Sequence, residues 1–119
     1  MNPENNADCI FCKIAARTLP APLEYEDDYV AAFKDINPHA PVHLLIIPKK
    51  HIEKIGDLHG EDVNLLPMMA AAAKQLAQKF GIYEEGFRLV INSGDNGGQT
   101  VYHLHMHMLG GRFMRWPPG

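Results

Sequence analysis

Three histidines alternate with apolar residues near the end of the chain. Strict alternation is typical of a half-buried strand, in which residues two apart share one face. The pattern predicts a strand over residues 103–109, with three imidazoles on one surface: His103, His105 and His107. The residues between them are predicted to face the core: Leu104, Met106 and Met108. Solvation alone would not select imidazole three times on one face, so this row is the first candidate for chemistry.

The chemistry that such a row could do is limited by its spacing. At a rise of about 3.3 Å per residue, His103 and His107 begin about 13 Å apart along the strand. Zn–N bonds are only about 2.0–2.1 Å long, so three imidazoles cannot easily bind one ion, although two neighbours could. A division of labour is expected instead. One histidine would be the nucleophile or base, a second would orient it, and a third would meet charge developing on a substrate.

A glycine-rich loop, residues 93–99, leads into this strand. Gly97 and Gly98 let the main chain turn sharply and bring N–H groups close to a ligand. Gln99 and Thr100 add side-chain donors. A pair of glycines before a strand is usually only a turn. Directly before three aligned histidines, the loop is interpreted as a site for an anion.

Composition narrows the class of protein. The chain has 119 residues, of which 46% are hydrophobic and 21% charged, as expected for a single domain over residues 1–119. The formal net charge of −3 gives no basic field for nucleic acid, although a nucleotide-sized ligand fits. No Walker lysine motif is present, which excludes a P-loop mechanism. Neither a secretory signal nor an apolar run of about 18 residues is readable, so a cytoplasmic protein without membrane contact is expected.

The remaining pattern predicts an α+β fold, an antiparallel sheet with one short and one long helix packed on one face. Residues 1–8 are expected to be a flexible polar tail. The short helix is predicted over Ile10–Ala16. The long one is predicted over Gly60–Phe80, with Pro67 causing a kink or a short first turn and Gly81 ending it. Its apolar stripe is predicted to contain Val63, Leu66, Ala70, Ala73, Leu76, Ala77 and Phe80. Strands are predicted over Leu23–Glu26, Tyr29–Ile36, His43–Ile47, Phe87–Asn92 and the histidine segment.

The histidine segment is similar to the signature of the histidine triad (HIT) family, in which three histidines alternate with apolar residues. The similarity covers nearly the whole chain and includes residues 9–14, 32–36, 38–43, 47–52 and 97–102. The ending Trp116-Pro117-Pro118-Gly119 resembles histidine triad nucleotide-binding (Hint) proteins, which are purine nucleoside phosphoramidases. This combination of motifs is specific, and it implies a HIT-like fold.

The resemblance implies a role for each histidine. His105 would attack the α-phosphorus of a nucleoside 5′-phosphoramidate and form a covalent nucleotidyl-histidine, which water would then hydrolyse. His107 would contact the phosphate oxygens, and His103 would help to orient His105. Thr100 stands near the leaving group, where the family usually has serine. No cofactor is required for this catalysis.

The resemblance also implies a site for a purine nucleotide of the AMP type. Asp35 matches the acidic residue that binds the ribose hydroxyls, and Asn92 matches an asparagine at the phosphate site. The full set of implied nucleotide-binding residues is Ile10, Phe11, Ile14, Phe33, Asp35, Ile36, His43, Asn92, Gly98, Gln99, Thr100, His105 and His107. Without the resemblance, Asp35 could be a turn residue, and most of the apolar members would be ordinary core.

A homodimer is implied as well, since members of the family pair. The C-terminal segment, here residues 110–119, would then lie near the active site. Trp116-Pro117-Pro118 is the only visible correlate of this expectation, and Trp116 could equally cover apolar surface.

Cys9 and Cys12 form a C-x-x-C pair, which in a reducing compartment suggests metal binding or a redox pair more than a structural disulfide. They resemble HIT proteins in which such a pair, a further histidine and the first triad histidine bind a structural zinc. The implied set is Cys9, Cys12, His43 and His103, the ligand types of a Cys2His2 site. A zinc-bound His103 would support His105 only indirectly. Two reduced cysteines at a helix start are the alternative. The histidines left without a role, His39, His51 and His59, are interpreted as solvated or loop residues.

Three functions remain open from the sequence. The first is hydrolysis of nucleoside phosphoramidates, which the C-terminal ending favours. The second is hydrolysis of dinucleoside polyphosphates, or nucleotidyl transfer, by the same chemistry. The third is a nucleotide-binding regulatory protein whose catalysis is incidental. A metalloenzyme with zinc as Lewis acid is least favoured, since it needs an open coordination position beside the substrate.

Overall fold

The computed structural model describes residues 8–119, so nearly all of the predicted polar tail lies outside the described residues. The α-helices are α1 (Ile10–Ala15) and α2 (Leu65–Lys79), and two short 3-10 helices span Ile55–Asp57 and Gly60–Asn64. The strands are β1 (Leu23–Glu26), β2 (Val30–Lys34), β3 (Val42–Pro48), β4 (Phe87–Val90) and β5 (Met106–Gly110). Within residues 8–119, no helix is long and apolar enough to cross a membrane.

The five strands form one antiparallel sheet in the order β1-β2-β3-β5-β4, which confirms the predicted α+β class. The strand β3 is central because its run of apolar residues is buried on both faces, as a continuous apolar stretch predicts. It pairs with β2 on one side and with the histidine strand β5 on the other.

The two helices cover opposite faces of the sheet, so the prediction that both pack on one face is wrong. Leu44 and Ile46 of β3 join the larger core under α2. Leu45, between them, points the other way and joins a smaller core with Phe11 and Ile14 of α1. Alternation along a strand requires this separation. The smaller core is where the functional side chains gather, because His107 pairs with Leu45 across the ladder.

The long helical signal divides in two, as the position of Pro67 suggested. Residues Gly60–Asn64 form a 3-10 turn, and α2 starts at Leu65. Pro67 then lies in the first turn of α2, where its missing N–H would have had no helical partner. Gly81, with φ +73°, follows the end of the helix.

The buried stripe of α2 agrees with the prediction in part, since Ala73, Leu76 and Ala77 are buried as predicted. Val63 is 47% exposed and Ala70 is exposed, whereas the buried residues are Leu65, Met69, Ala72, Ala73, Leu76 and Ala77. The prediction took residues 60–80 as one continuous helix. Because the α-helix begins only at Leu65, Val63 in the preceding 3-10 turn is not part of the stripe, which instead includes Leu65, Met69 and Ala72.

The histidine strand starts at Met106, so the predicted start at His103 is wrong. Ile46 pairs with Met106, and continuing this register would place Pro48 opposite Leu104. Proline has no N–H to donate to a ladder. The main-chain N–H of Leu104 donates instead to the carbonyl of Ile52, 2.6 Å away. Residues 103–105 therefore lie beside the sheet rather than in it.

Candidate active site and candidate metal centre

His105 is held in one orientation by a main-chain group. Its Nδ1 lies 2.8 Å from the carbonyl oxygen of His103. Since a carbonyl only accepts hydrogen bonds, Nδ1 carries the proton and Nε2 keeps its lone pair. The side chain is 5% exposed rather than on the surface, contrary to the prediction. An oriented imidazole with an available Nε2 is suited to nucleophilic attack.

A chain of hydrogen bonds fixes the opposite polarity at His107. The main-chain N–H of His39 donates to Nδ1 of His43 over 3.0 Å, so the proton of a neutral His43 is on Nε2. That Nε2 lies 2.9 Å from Nδ1 of His107 and donates to it. The proton of His107 is therefore on Nε2, which can donate to a substrate oxygen. The rings of His105 and His107 lie 5.0 Å apart between centroids, so lone pair and donor are neighbours.

Burial keeps His43 and His107 neutral at pH 7. Burial, together with the neighbouring His105 and His43, lowers the pKa of His107 to about 4. Burial also lowers the pKa of His43, against the opposing influence of the Asp35 carboxylate. The site therefore meets an anion with oriented N–H groups more than with positive charge.

Asp35 contacts the hydrogen-bond relay formed by His39, His43 and His107. Its Oδ2 lies 3.4 Å from Nε2 of His43, and its Oδ1 accepts the main-chain N–H of Asn37 at 2.8 Å. Asp35, His43 and His107 bring together three atoms that could bind a metal. Binding one there would require Nε2 of His43 to lose its proton, because Nδ1 already accepts from His39. The group is therefore better suited to relaying hydrogen bonds than to holding an ion.

The glycine-rich loop is closed by Gln99. Its side-chain oxygen accepts the N–H of Gly94 at 2.9 Å, and its amide nitrogen donates to the carbonyls of Glu53 and Val101. Gln99 is 5% exposed, so its amide is committed to shaping the loop rather than to contacting a ligand. A Cβ on Gly97 would clash with the Ser93 main chain, which explains that glycine.

The other predicted ligand contacts near this loop are accessible. Gly98 has φ +81°, and both Gly98 and Thr100 are exposed. Asn92 follows β4 and is half-buried. These three positions leave main-chain and side-chain polar groups at the surface, where a ligand can reach them.

The predicted apolar wall divides into a buried and an exposed part. Phe11 stands edge-on to the ring of His105, with centroids 5.2 Å apart, and to Phe33 at 5.4 Å. Phe11, Phe33 and Ile14 are buried in the smaller core. Ile10 is 49% exposed and Ile36 is fully exposed. Apolar side chains of this kind on the surface are available to a ligand such as a nucleobase.

A second cluster lies behind the histidines and contains Cys9, Cys12, His51 and His103, whose ligating atoms all lie within 4.8 Å of one another. Nδ1 of His103 is 3.2 Å from Sγ of Cys9 and 3.5 Å from Sγ of Cys12. Nδ1 of His51 is 3.3 Å from Sγ of Cys12. Two thiols and two imidazoles are the ligand types of a tetrahedral Cys2His2 site.

The structure places His51, not His43, with the cysteines, so that part of the implied metal set is corrected. His43 is in the relay with His107, on the far side of His105. His51 was interpreted as a solvated histidine, because nothing in the local sequence separates it from a loop residue. His51 follows the end of β3, and it reaches His103 because β3 is aligned with the segment before β5. This alignment cannot be inferred from the local sequence.

The polarity of His103 suits a metal ligand. Its Nε2 lies 2.8 Å from the carbonyl oxygen of Pro48 and must donate to it, which leaves the lone pair of Nδ1 facing the two sulfur atoms. A ligating histidine almost always donates its second ring N–H to such a partner. His103 is completely buried, so it does not present its ring to a substrate. Its effect on His105 comes through its main-chain carbonyl instead of its imidazole.

The C-terminal segment is joined to the relay. Nε and Nη2 of Arg112 donate to the carbonyl of His39 at 3.1 and 2.9 Å, and the N–H of the same His39 supports His43. Beyond Arg112, Phe113 is 88% and Trp116 81% exposed. The start of the predicted segment 110–119 therefore lies near the active site of its own chain, while its aromatic side chains are uncovered.

Comparisons with known proteins agree with this geometry. Residues 8–115 match a family model described as "Scavenger mRNA decapping enzyme C-term binding". A HIT-like protein of Synechocystis sp. is 53% identical over 94% of this chain and 97% of that protein. A "14 kDa zinc-binding protein" of Brassica juncea is 46% identical over 94% of this chain and all of that protein. The crystal structure of a HIT family hydrolase from Legionella pneumophila has a TM-score of 0.90 and 54% identity, over 94% of this chain and all of that one.

The low pKa of His107 predicts a loss of stability in acid. The unfolded chain protonates this imidazole near its ordinary pKa, whereas the folded chain resists protonation until about pH 4. The free energy of unfolding should therefore fall as the pH drops from about 6.5 towards 4. The variant His107→Gln should lose less stability than the wild type between pH 7 and pH 5. Urea denaturation at both pH values measures this, with His59→Gln at an exposed histidine as the control. Equal losses in wild type and His107→Gln would contradict the assignment.

Proposed function

Because the chain belongs to the histidine triad family, we propose that it is a hydrolase of the P–N bond in purine nucleoside 5′-phosphoramidates. Nucleotides are the general kind of partner of this family, and a similar solved protein is named a HIT family hydrolase. The observation that carries the proposal is the main-chain hydrogen bond to Nδ1 of His105, which leaves Nε2 free to attack phosphorus. The Hint-like ending at Trp116 supports the choice of phosphoramidates among the substrates of such enzymes.

The first step would form a covalent intermediate. Nε2 of His105 attacks the α-phosphorus, the P–N bond breaks, and the leaving amine takes a proton from solvent, which the water consumed in the second step returns. Nε2–H of His107 donates to an equatorial phosphate oxygen as charge develops there. The hydroxyl of the exposed Thr100 would meet another phosphate oxygen.

The second step would release the nucleoside monophosphate. Water attacks the phosphorus of the nucleotidyl-histidine, and His105 leaves as the neutral imidazole whose orientation the His103 carbonyl preserves. Dividing one difficult displacement into two easier ones is the general advantage of covalent catalysis. No metal takes part in either step.

The nucleoside part would lie between the exposed apolar residues and Asp35. Ile10 and Ile36 would present exposed apolar surface to the base, and Phe11 stands edge-on to the ring of His105. Asp35 has one oxygen engaged by Asn37 and the other near His43, and its carboxylate would accept from the ribose hydroxyls. Asn92 would donate to the phosphate.

Replacing the nucleophile separates catalysis from binding. His105→Gln should lower the turnover of adenosine 5′-phosphoramidate by on the order of 10³-fold or more, because no neighbouring group can take over the attack. AMP affinity, measured by calorimetry, should change little, since His107 and the loop remain. Rapid quenching and mass spectrometry of the wild type should locate a nucleotidyl adduct on His105.

The matched control is His59→Gln, at an exposed histidine whose Nδ1 contacts its own segment at the carbonyl of Asp57. It should turn over like the wild type. An adduct on another residue would contradict the mechanism. Faster turnover of a dinucleoside polyphosphate than of the phosphoramidate would indicate a dinucleoside polyphosphate hydrolase of the same family instead. AMP binding without turnover of either substrate would favour a regulatory protein.

We also propose that Cys9, Cys12, His51 and His103 bind a structural zinc. The four ligand atoms converge, the polarity of His103 fits, and a protein 46% identical to this chain is named a zinc-binding protein. Zinc would fasten α1 to the segment before β5. A cleft of about 630 Å³ has Cys12 among its lining residues. The thiols suit a reducing compartment such as the cytoplasm, which cell fractionation would test.

The two histidine candidates for the fourth ligand can be separated by metal analysis. His51→Gln should reduce bound zinc from about one equivalent to well below half, because a tetrahedral site would lose one of its four ligands. His43→Gln should leave it near one equivalent, since His43 belongs to the relay with His107. Mass spectrometry with inductively coupled plasma on purified protein measures both. Loss of zinc in His43→Gln but not in His51→Gln would restore the set implied by the sequence.

A homodimer is proposed on the same family resemblance. The strand β4 is the last of the sheet, its Leu89 is 39% exposed, and the aromatic residues Phe113 and Trp116 lie uncovered on the described surface. Sedimentation equilibrium should give about twice the chain mass of 13.3 kDa. Replacing Trp116 with alanine should shift the equilibrium towards the monomer. A wild type that sediments as a monomer at micromolar concentration would contradict the proposal.

A further inference from the structure

His103 belongs to two sites at once. Its ring, buried completely, faces the sulfur atoms of Cys9 and Cys12, and its main-chain carbonyl accepts the Nδ1–H of His105. Both contacts are made by His103. If its ring moves and the main chain moves with it, the carbonyl that accepts from His105 moves as well.

The segment that carries this acceptor is not fixed by the sheet. The ladder between β3 and β5 ends at Met106. Before it, residues 103–105 are held by the N–H of Leu104 on Ile52 and by the ring of His103 on Pro48. Leu104 is also buried in the larger core, and the cluster adds a separate restraint through His103 on the main chain that orients His105.

A second connection runs through Phe11. This residue lies between the two cysteines in α1, and its ring stands edge-on to both His103 and His105, with centroids 5.9 and 5.2 Å apart. Drawing Cys9 and Cys12 together on one ion fixes the start of α1, and with it the ring that packs against the nucleophile.

We propose that the cluster Cys9–Cys12–His51–His103 is a positioning element for the catalytic imidazole, so that metal occupancy sets the turnover of the enzyme as well as its stability. The proposal rests on the function proposed above. The metal itself touches no substrate. It acts through the carbonyl of His103 and the ring of Phe11, both of which reach His105.

His51 is the residue with which to test this. Its described contacts are with the cluster: Nδ1 faces Sγ of Cys12 and its ring stands edge-on to His103, with centroids 5.0 Å apart. Replacing it removes a metal ligand without altering either residue that touches His105. The matched control is His59→Gln, which removes an imidazole from the exposed surface.

The experiment compares zinc-loaded wild type, His51→Gln, His59→Gln and wild type treated with a chelator. Each protein is studied well below its own unfolding temperature, so that only folded molecules are compared. Three quantities are measured: kcat and KM for adenosine 5′-phosphoramidate, AMP affinity by calorimetry, and the Nδ1–H signal of His105 in ¹⁵N-histidine NMR spectra. The Nδ1–H signal of His105 is identified as the one that is missing from the spectrum of the His105→Gln variant.

His51→Gln and the chelated wild type should show kcat lowered by about tenfold or more, the range seen when a supporting contact of a site is removed. The Nδ1–H signal of His105 should shift and exchange faster with water, and returning zinc to the chelated wild type should restore both. His59→Gln should match the wild type.

A purely structural metal would lower the unfolding temperature of His51→Gln and leave kcat, AMP affinity and the His105 signal unchanged, which would overturn the inference. If the zinc-loaded wild type turns over no phosphoramidate, the proposed function fails. The NMR signal still decides the inference in that case, because it reports on the His105 hydrogen bond without any substrate.

Discussion

A proline at the end of the central strand determines how the histidines are used. Pro48 offers no N–H to the facing segment, so the ladder stops at Met106 and the preceding residues leave the sheet. The carbonyl of Pro48 is then available to the ring of His103, which turns its other nitrogen to the cysteines. An unbroken strand would have spaced three imidazoles evenly on one surface. Because the ladder ends at Met106 instead, His103 is buried beside the cysteines, in a second cluster.

Main-chain groups assign the proton of each buried imidazole. Main-chain carbonyl groups accept from the rings of His103 and His105. A main-chain N–H instead donates to His43, so the proton of His43 lies on the nitrogen that donates to His107. A peptide group cannot change between donor and acceptor, so the assignments of His43, His103 and His105 are fixed by the main chain, and that of His107 follows from His43. The result is one lone pair and one N–H on neighbouring rings, the combination that nucleophilic attack on a phosphoryl group needs.

Much of this could be predicted from the sequence, because alternation and apolar runs report which face a residue occupies. The five strands, the α+β class and the burial of Leu104, Met106 and Met108 follow from such local patterns. Two results do not. The burial of His103 depends on an interruption in the partner strand, and the place of His51 beside the cysteines depends on strand register. Both come from pairing between segments about 50 residues apart, which no local period records.

The neutrality of the buried imidazoles has a consequence for selectivity. Positive charge attracts any anion over a Debye length, about 8 Å at physiological ionic strength, whereas an oriented N–H acts only at contact. With His43 and His107 uncharged at neutral pH and a chain of net charge −3, these two imidazoles exert little long-range attraction on an anion. Selection among anionic ligands therefore depends on their shape and on how well their oxygens meet the N–H donors, whose directions are set by main-chain hydrogen bonds.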